Sequence, residues 1–380
     1  MRSKGTRSGY RLFVRNVFLT MSFFIVNSLS FSSLKAEEKK LEVLAILPLS
    51  GDMANLGVAI KNGILLGMEQ SDSDTRINMR FEDDGGLPKN TISALMKQKS
   101  VKKPDIIITA SSATSKSVAP LVEQMKVPLI AIATDEEISR GRSYVMNFWV
   151  TPEDTIDLLI KEAKRRGYRS IAFFTSIHNG TISLQRTFHA QAKGELEIAY
   201  SEDIGLDLRD FKSEILKFKH KTKNKQIDAI FTNVFFGQVG IFARQLRELG
   251  VTQDLFCAEL FEDKGEVASS QGALIDQWYV QADDPNDAFL KRYAETFPGD
   301  SNYGSANGAD LILLLAHALE KKITTPEEIN TFLHSVKDFE GNMGVFSASD
   351  DNRFNLPVTV KIVKEYGFEK CGEECESSSE

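Results

Sequence analysis

The sequence predicts an α/β protein of two doubly wound, Rossmann-like lobes around a ligand cleft, and three observations carry that prediction. Short β-branched runs alternate with helical patterns from Leu41 onward, the rhythm restarts after residues 146–154, and polar loops follow the ends of several apolar strands. Alternation at this spacing means parallel βαβ units, because parallel neighbours need a crossover helix.

In order, the first unit reads as strand "LEVLAILPL", helix "LGVAIKNGILLGMEQ", strand "RINMRFEDD", helix "PKNTISALMKQKS", strand "DIIIT", helix "TSKSVAPLVEQMK" and strand "PLIAIA". The second reads as helix "TIDLLIKEAKRRG", strand "SIAFFTS", a helix near "ISLQRTFHAQAKG" and strand "EIAYSEDI". It continues with helix "DFKSEILKFKHK", strand "QIDAIFTNV", helix "VGIFARQLRELG" and strand "DLFCAE". Then come a strand "DQWYVQAD", an apolar helix "ANGADLILLLAHALEKK", and a helix capped at Thr325 with Pro326 at its first position. The stretch "VFSASDDNRFNLPVTVKIVKEYGF" reads as one terminal hairpin with a polar turn.

At 380 residues, 42% hydrophobic and 26% charged, the chain can bury two cores. Residues 1–36 read as a cleaved secretory signal peptide: a basic front end, the apolar "VFLTMSFFIVNSLSF", no acidic residue, and Ala36 at the end. The periplasm is therefore the expected location. Removing those residues leaves 40 basic against 53 acidic groups, a net charge of −13. Such a balance argues against nucleic acid as a partner. Of three cysteines, Cys257 reads as a buried thiol, and Cys371 with Cys375 are spaced to close a small loop in an oxidising compartment.

Two α/β units with few crossings form a cleft walled by strand carboxyl ends, where ligands bind. Ser111 and Ser112 follow "DIIIT" and open a helix, so their hydroxyls and backbone N–H groups suit a carboxylate; the plainer reading is helix capping. Thr134 ends the next strand, with capping again the alternative. Glu259 ends a strand of the second unit, either as a cleft carboxylate that receives an ammonium or as a surface acid. Asp83 and Asp84 precede Gly-Gly and read as turn residues rather than a metal pair. There is no G-x-S-x-G, Walker A, G-x-G-x-x-G or H-E-x-x-H pattern, so no catalytic residue, metal or cofactor is expected.

In order and spacing, "AILPLSGDMANLGVAIKNGILLGME", "RFEDDGGLPKNTISAL", "IITASSATSKSVAPLVEQMKVPLIAIAT", "VTPEDTIDLLIKEAKRRGYRSIAFF" and "FEGNMGVFSASDDNR" resemble the periplasmic branched-chain amino-acid-binding protein family, the type I solute-binding fold. The resemblance implies residues 41–148 and 281–345 for lobe 1 and 149–280 and 346–368 for lobe 2; the Glu/Ser-rich composition beyond it reads as a disordered acidic tail over 369–380. It places Ser111 and Thr134 on the α-carboxylate, with Ser112 and backbone atoms near Ile132 and Ala133 assisting, and Glu259 on the α-ammonium. Asn179, Phe235 and Leu56 stand where the family carries pocket aromatics, and Ala309 where it carries a tyrosine, so leucine, isoleucine or valine is not implied as the ligand. A monomer that delivers an amino-acid-like ligand to a membrane ABC permease is the implied role. A ligand-free sensor or scaffold with an envelope partner is the alternative.

Overall fold

The computed structural model describes residues 40–73 and 76–371. The first part of the chain alternates β1 (Leu41–Leu47), α1 (Ala54–Gln70), β2 (Ile77–Asp83), α2 (Pro88–Val101), β3 (Ile106–Ala110), α3 (Ser112–Met125), β4 (Leu129–Ile132) and β5 (Val145–Asn147). The second part follows with α4 (Pro152–Arg165), β6 (Ser170–Ser176), α5 (Asn179–Gln191), β7 (Glu197–Ile204), α6 (Lys212–Lys221), β8 (Ala229–Asn233), α7 (Val239–Glu248), β9 (Asp254–Ala258), α8 (Lys264–Ser269) and β10 (Trp278–Ala282). The remainder is α9 (Asp287–Thr296), α10 (Ser305–Glu320), α11 (Pro326–His334), β11 (Phe339–Gly341), β12 (Gly344–Ser349), β13 (Arg353–Asn355), β14 (Val358–Lys364) and β15 (Gly367–Lys370).

These strands form two sheets, ordered β11-β12-β13-β5-β4-β3-β1-β2 and β15-β14-β10-β9-β8-β6-β7. Each contains the same parallel order, 2-1-3-4-5 in the first and 7-6-8-9-10 in the second, so each lobe is doubly wound. In such sheets the crevice lies at the carboxyl ends, beside the point where strand order reverses. Every residue of β1, β3 and β4 is buried, and so is every residue of β6, β8 and β10. Helices on both faces cause this, and it explains why these strands read as continuous apolar runs.

In lobe 1, α1 lies against α10 so closely that a Cβ on Gly63 would stand 1.8 Å from the Ser305 carbonyl oxygen. Ala309 belongs to this contact, its carbonyl oxygen 2.7 Å from where a Gly67 Cβ would be. Ala309 is fully buried, so a tyrosine there would require its neighbours to move apart. Lobe 2 is filled by aromatics instead: Phe256 stacks on Trp278 at 5.0 Å, and Phe231 meets Phe173 edge-on at 4.5 Å. Such pairs add to the stabilisation from buried area. The cap expected at Thr325 of α11 is present, and it is a capping box in which Thr325 and Glu328 are reciprocally bonded.

The chain crosses between sheets after β5, after β10 and after β13. Two sequence expectations are corrected here. The stretch after residue 343 is two hairpins rather than one, since β12 pairs with β13 in the first sheet and β14 with β15 in the second. Pro357 sits at the break between them, where a residue without an N–H cannot extend the ladder. Residues 346–355, expected in lobe 2, therefore lie in the first sheet. Glu369 and Lys370, expected in a disordered tail, are the end of β15.

Residues 1–36 and Cys375 lie outside the described residues; Cys371 is disulfide-bonded and Cys257 is a buried free thiol. No helix among the described residues is long and apolar enough to cross a membrane.

Candidate functional site

The loops after β3, β4, β6, β8 and β9 converge on one cavity that both lobes line. Lobe 1 lines it with Met53, Leu56, Ser111, Ser112, Ile132, Ala133 and Thr134, and lobe 2 with His178, Gly180, Phe235, Phe236 and Glu259. Trp149, at the first crossing, and Tyr303 close its back wall, their rings meeting edge-on at 5.5 Å.

The serine burst divides its labour. Thr114 is bonded to the Ala110 carbonyl, and Ser115 Oγ lies 2.8 Å from Thr109 Oγ1, so both hydroxyls hold the start of α3 to β3. Ser112 Oγ accepts the Asp135 N–H at 3.2 Å and ties this loop to the next. Ser111 differs: it occupies the N-cap position of α3 without a capping bond, and its buried Oγ has no partner among the described residues. Its backbone, at φ 74° and ψ 143°, is in a region that only glycine enters without cost. Capping therefore does not account for Ser111.

Capping does not account for Thr134 either, because Asp135 caps the following turn by accepting the Glu137 N–H at 3.1 Å. Thr134 Oγ1 instead donates across the cleft to Glu259, at 3.0 Å to Oε2 and 3.2 Å to Oε1. Glu259 is buried, which rules out a surface acid, and its φ of 73° with ψ −55° is the strained conformation of a tight γ-turn. Two residues with unfavourable backbone angles thus line one cavity from opposite lobes.

Burial pushes the Glu259 carboxyl up to about 7 from its ordinary 4.5, while bonds from Trp149 and Thr134 pull the other way. No lysine or arginine lines the cavity among the described residues. The other titratable side chains there are His178, which burial lowers to about 4, and Tyr303, which burial raises well above its ordinary value, so both are neutral. The site therefore holds one potential charge, and that charge is negative.

Asn179 is corrected: it is the half-exposed first residue of α5 and does not line the cavity. Its neighbour His178 does, because the extended N-cap backbone, φ −136° and ψ 151°, precedes the helix and leaves the ring stacked on Phe235 at 3.9 Å. Trp149, Phe236 and Tyr303 were also missed; the first two lie just after strand ends, which was the available signal, whereas Tyr303 precedes α10 and gave none. Asp83 and Asp84 are turn residues as expected, accepting from the backbone of Leu49, Gly85 and Gly86.

The lobes meet beside the cavity. Glu136, buried at the turn after β4, is bonded to Ser183 and Arg186 of α5. Burial raises its carboxyl, but those partners outweigh it and hold the group below its ordinary value. Across the mouth, Asp52 pairs with Arg209 at 2.6 Å, and Asn55 Nδ2 donates to Asp263 at 3.2 Å.

A sequence profile of the periplasmic binding protein family matches residues 40–366. No curated protein matches the chain. Among solved structures, a leucine-binding protein from Thermotoga maritima is similar, with 19% identity, a TM-score of 0.79, and 87% of this chain and 98% of that chain covered. A branched-chain amino acid transporter substrate-binding protein from Streptococcus pneumoniae, in complex with isoleucine, gives 18% identity and a TM-score of 0.78, covering 88% of this chain and 100% of that chain. A solute-binding protein of an ABC transporter from Rhodopseudomonas palustris, in complex with 4-hydroxybenzoate, gives 18% identity and a TM-score of 0.77, covering 86% and 94%. At these identities the likeness is one of fold.

Proposed function

The chain belongs to the periplasmic binding protein family, and on that premise we propose that it captures an amino acid or related zwitterion in the periplasm by hinge closure, for delivery to a membrane ABC permease. Ser111 and Thr134 receive the carboxylate, helped by Ser112 and the backbone at Ile132 and Ala133. Glu259 receives the ammonium. Leu56 and Phe235 shape the side-chain subsite, with His178 in place of Asn179.

The observation that carries this reading is the pairing of an unpartnered buried hydroxyl at Ser111 with a buried carboxylate at Glu259, on opposite lobes of one cavity. An ammonium gives Glu259 a counter-charge, and expulsion of water on closure strengthens the bond. The ligands named for the solved relatives are of two kinds, aliphatic amino acids and hydroxylated benzoates. A benzoate would bring a second negative charge beside Glu259 with no lysine or arginine to offset it, so the amino-acid kind is favoured. No chemical step is assigned.

One observation favours a second reading, a ligand-free sensor or scaffold: Thr134 and Glu259 already satisfy part of each other's bonding. A thermal-shift screen of residues 37–380 against amino acids, amines, amides and small carboxylates separates the two. A ligand at 100 times its dissociation constant adds about 2.7 kcal/mol. Stabilisation by amino acids supports capture, and silence across the panel supports the scaffold.

A further inference from the structure

Apart from Glu259, the lobe 2 wall of the cavity is apolar except at one place. Phe235, Phe236, Leu184 and Leu260 line it, and the Thr181 hydroxyl is occupied, donating to the Ser176 carbonyl at 2.6 Å. His178 is the exception. Its Nδ1 accepts the Gly180 N–H at 3.2 Å, so that nitrogen carries no proton, and the neutral ring must carry it on Nε2. The Phe235 stack at 3.9 Å and 29° fixes the plane of the ring. Nε2 makes no bond to any described residue, so a held N–H donor remains unused on the wall of an apolar subsite.

We propose that His178 is the specificity-determining residue of the side-chain subsite, donating its Nε2–H to an acceptor oxygen on an uncharged ligand side chain. The inference rests on the amino-acid reading of the site. His178 is half-buried here, and a ligand closed into the cleft takes this donor out of water; a donor left unfilled then costs more than a missing contact gains, so the analogue that lacks the acceptor is disfavoured. A charged side chain is disfavoured because Glu259, already committed to the ammonium, is the cavity's one potential charge.

The test is calorimetric titration of the wild-type protein and two variants with threonine against valine and tyrosine against phenylalanine. His178→Phe keeps the stack and removes the N–H. His178→Asn keeps a side chain able to cap α5 and removes the ring, and circular dichroism shows which variants fold. The wild type is expected to bind the oxygen-bearing member of at least one pair about tenfold or more tighter, and a folded variant is expected to lose that preference. Equal affinities within both pairs for the wild type, or a preference retained in the folded variants, would overturn the inference and leave amino-acid capture standing. Failure of the wild type to bind any of the four, together with silence in the thermal-shift panel, overturns both.

Discussion

Thr134 Oγ1 lies 3.0 Å from Glu259 Oε2, a bond between lobes and across 125 residues of chain. The hydroxyl assigned to a ligand carboxylate and the carboxylate assigned to a ligand ammonium therefore touch each other. A zwitterion entering the cleft must part them and return a partner to each, which ties ligand capture to lobe closure at a single contact.

Removing the Glu259 charge should separate binding from stability. Glu259→Gln is expected to weaken amino-acid binding by about 2 to 5 kcal/mol, the usual range when one partner of a buried charge pair is lost. Its effect on the fold has the opposite sign. The folded-state carboxyl titrates near 7, above its ordinary 4.5, so the folded protein holds a proton there that the unfolded chain has released, and stability falls as pH rises through that window. The glutamine variant should match the wild type near pH 4.5 and exceed it at pH 8 by up to about 3 kcal/mol, as measured by urea unfolding.

The pH dependence of affinity reports the sign of the ligand's charge. An ammonium binds the ionised form of Glu259, so affinity should fall as pH drops below about 7, approaching tenfold per pH unit. A carboxylate without an ammonium would show the reverse trend, binding better as Glu259 becomes protonated. Titrations between pH 5 and 8 distinguish the two.

Ser111 should trade stability for binding. Its φ of 74° and ψ of 143° cost on the order of 1 to 3 kcal/mol for a residue with a side chain. Ser111→Gly should therefore stabilise the fold while weakening the ligand. Ser111→Ala should weaken the ligand equally without that gain, since the Oγ has no partner to lose. Urea midpoints and dissociation constants for both variants test this.

The Glu136–Ser183–Arg186 contact should govern release. It spans the lobes without lining the cavity, so Arg186→Ala is expected to raise the ligand off-rate several-fold and to change the on-rate little. Stopped-flow fluorescence of Trp149, at the first crossing and in the cavity wall, reads both rates. An unchanged off-rate would show that this contact does not hold the closed form.

Most of the fold was legible because buried parallel strands and amphipathic helices write their periods directly into the chain. α9 was not, since "DAFLKRYAET" is short and its Asn286 cap looks like any loop asparagine. The double hairpin after residue 343 was missed because β-branched runs do not say which sheet they join; only Pro357 marked the change. Ser111, Thr134 and Glu259 were legible from their places after apolar strands. His178 was not, because which of two adjacent polar residues faces a cleft depends on where the helix begins, and His178 was one residue outside it. Nor could the sequence reveal that Ser112, Thr114 and Ser115 are spent on the loop while Ser111 is free, for that is a matter of backbone angle.

The most direct test compares, by calorimetry on residues 37–380, the best amino acid from the thermal-shift panel with its des-amino acid and its decarboxylated amine. If Glu259 holds the ammonium while Ser111 and Thr134 hold the carboxylate, each truncated ligand binds on the order of 100-fold more weakly. A des-amino acid that binds as tightly as its parent would contradict the account, since it leaves Glu259 buried without the partner the site is argued to provide for.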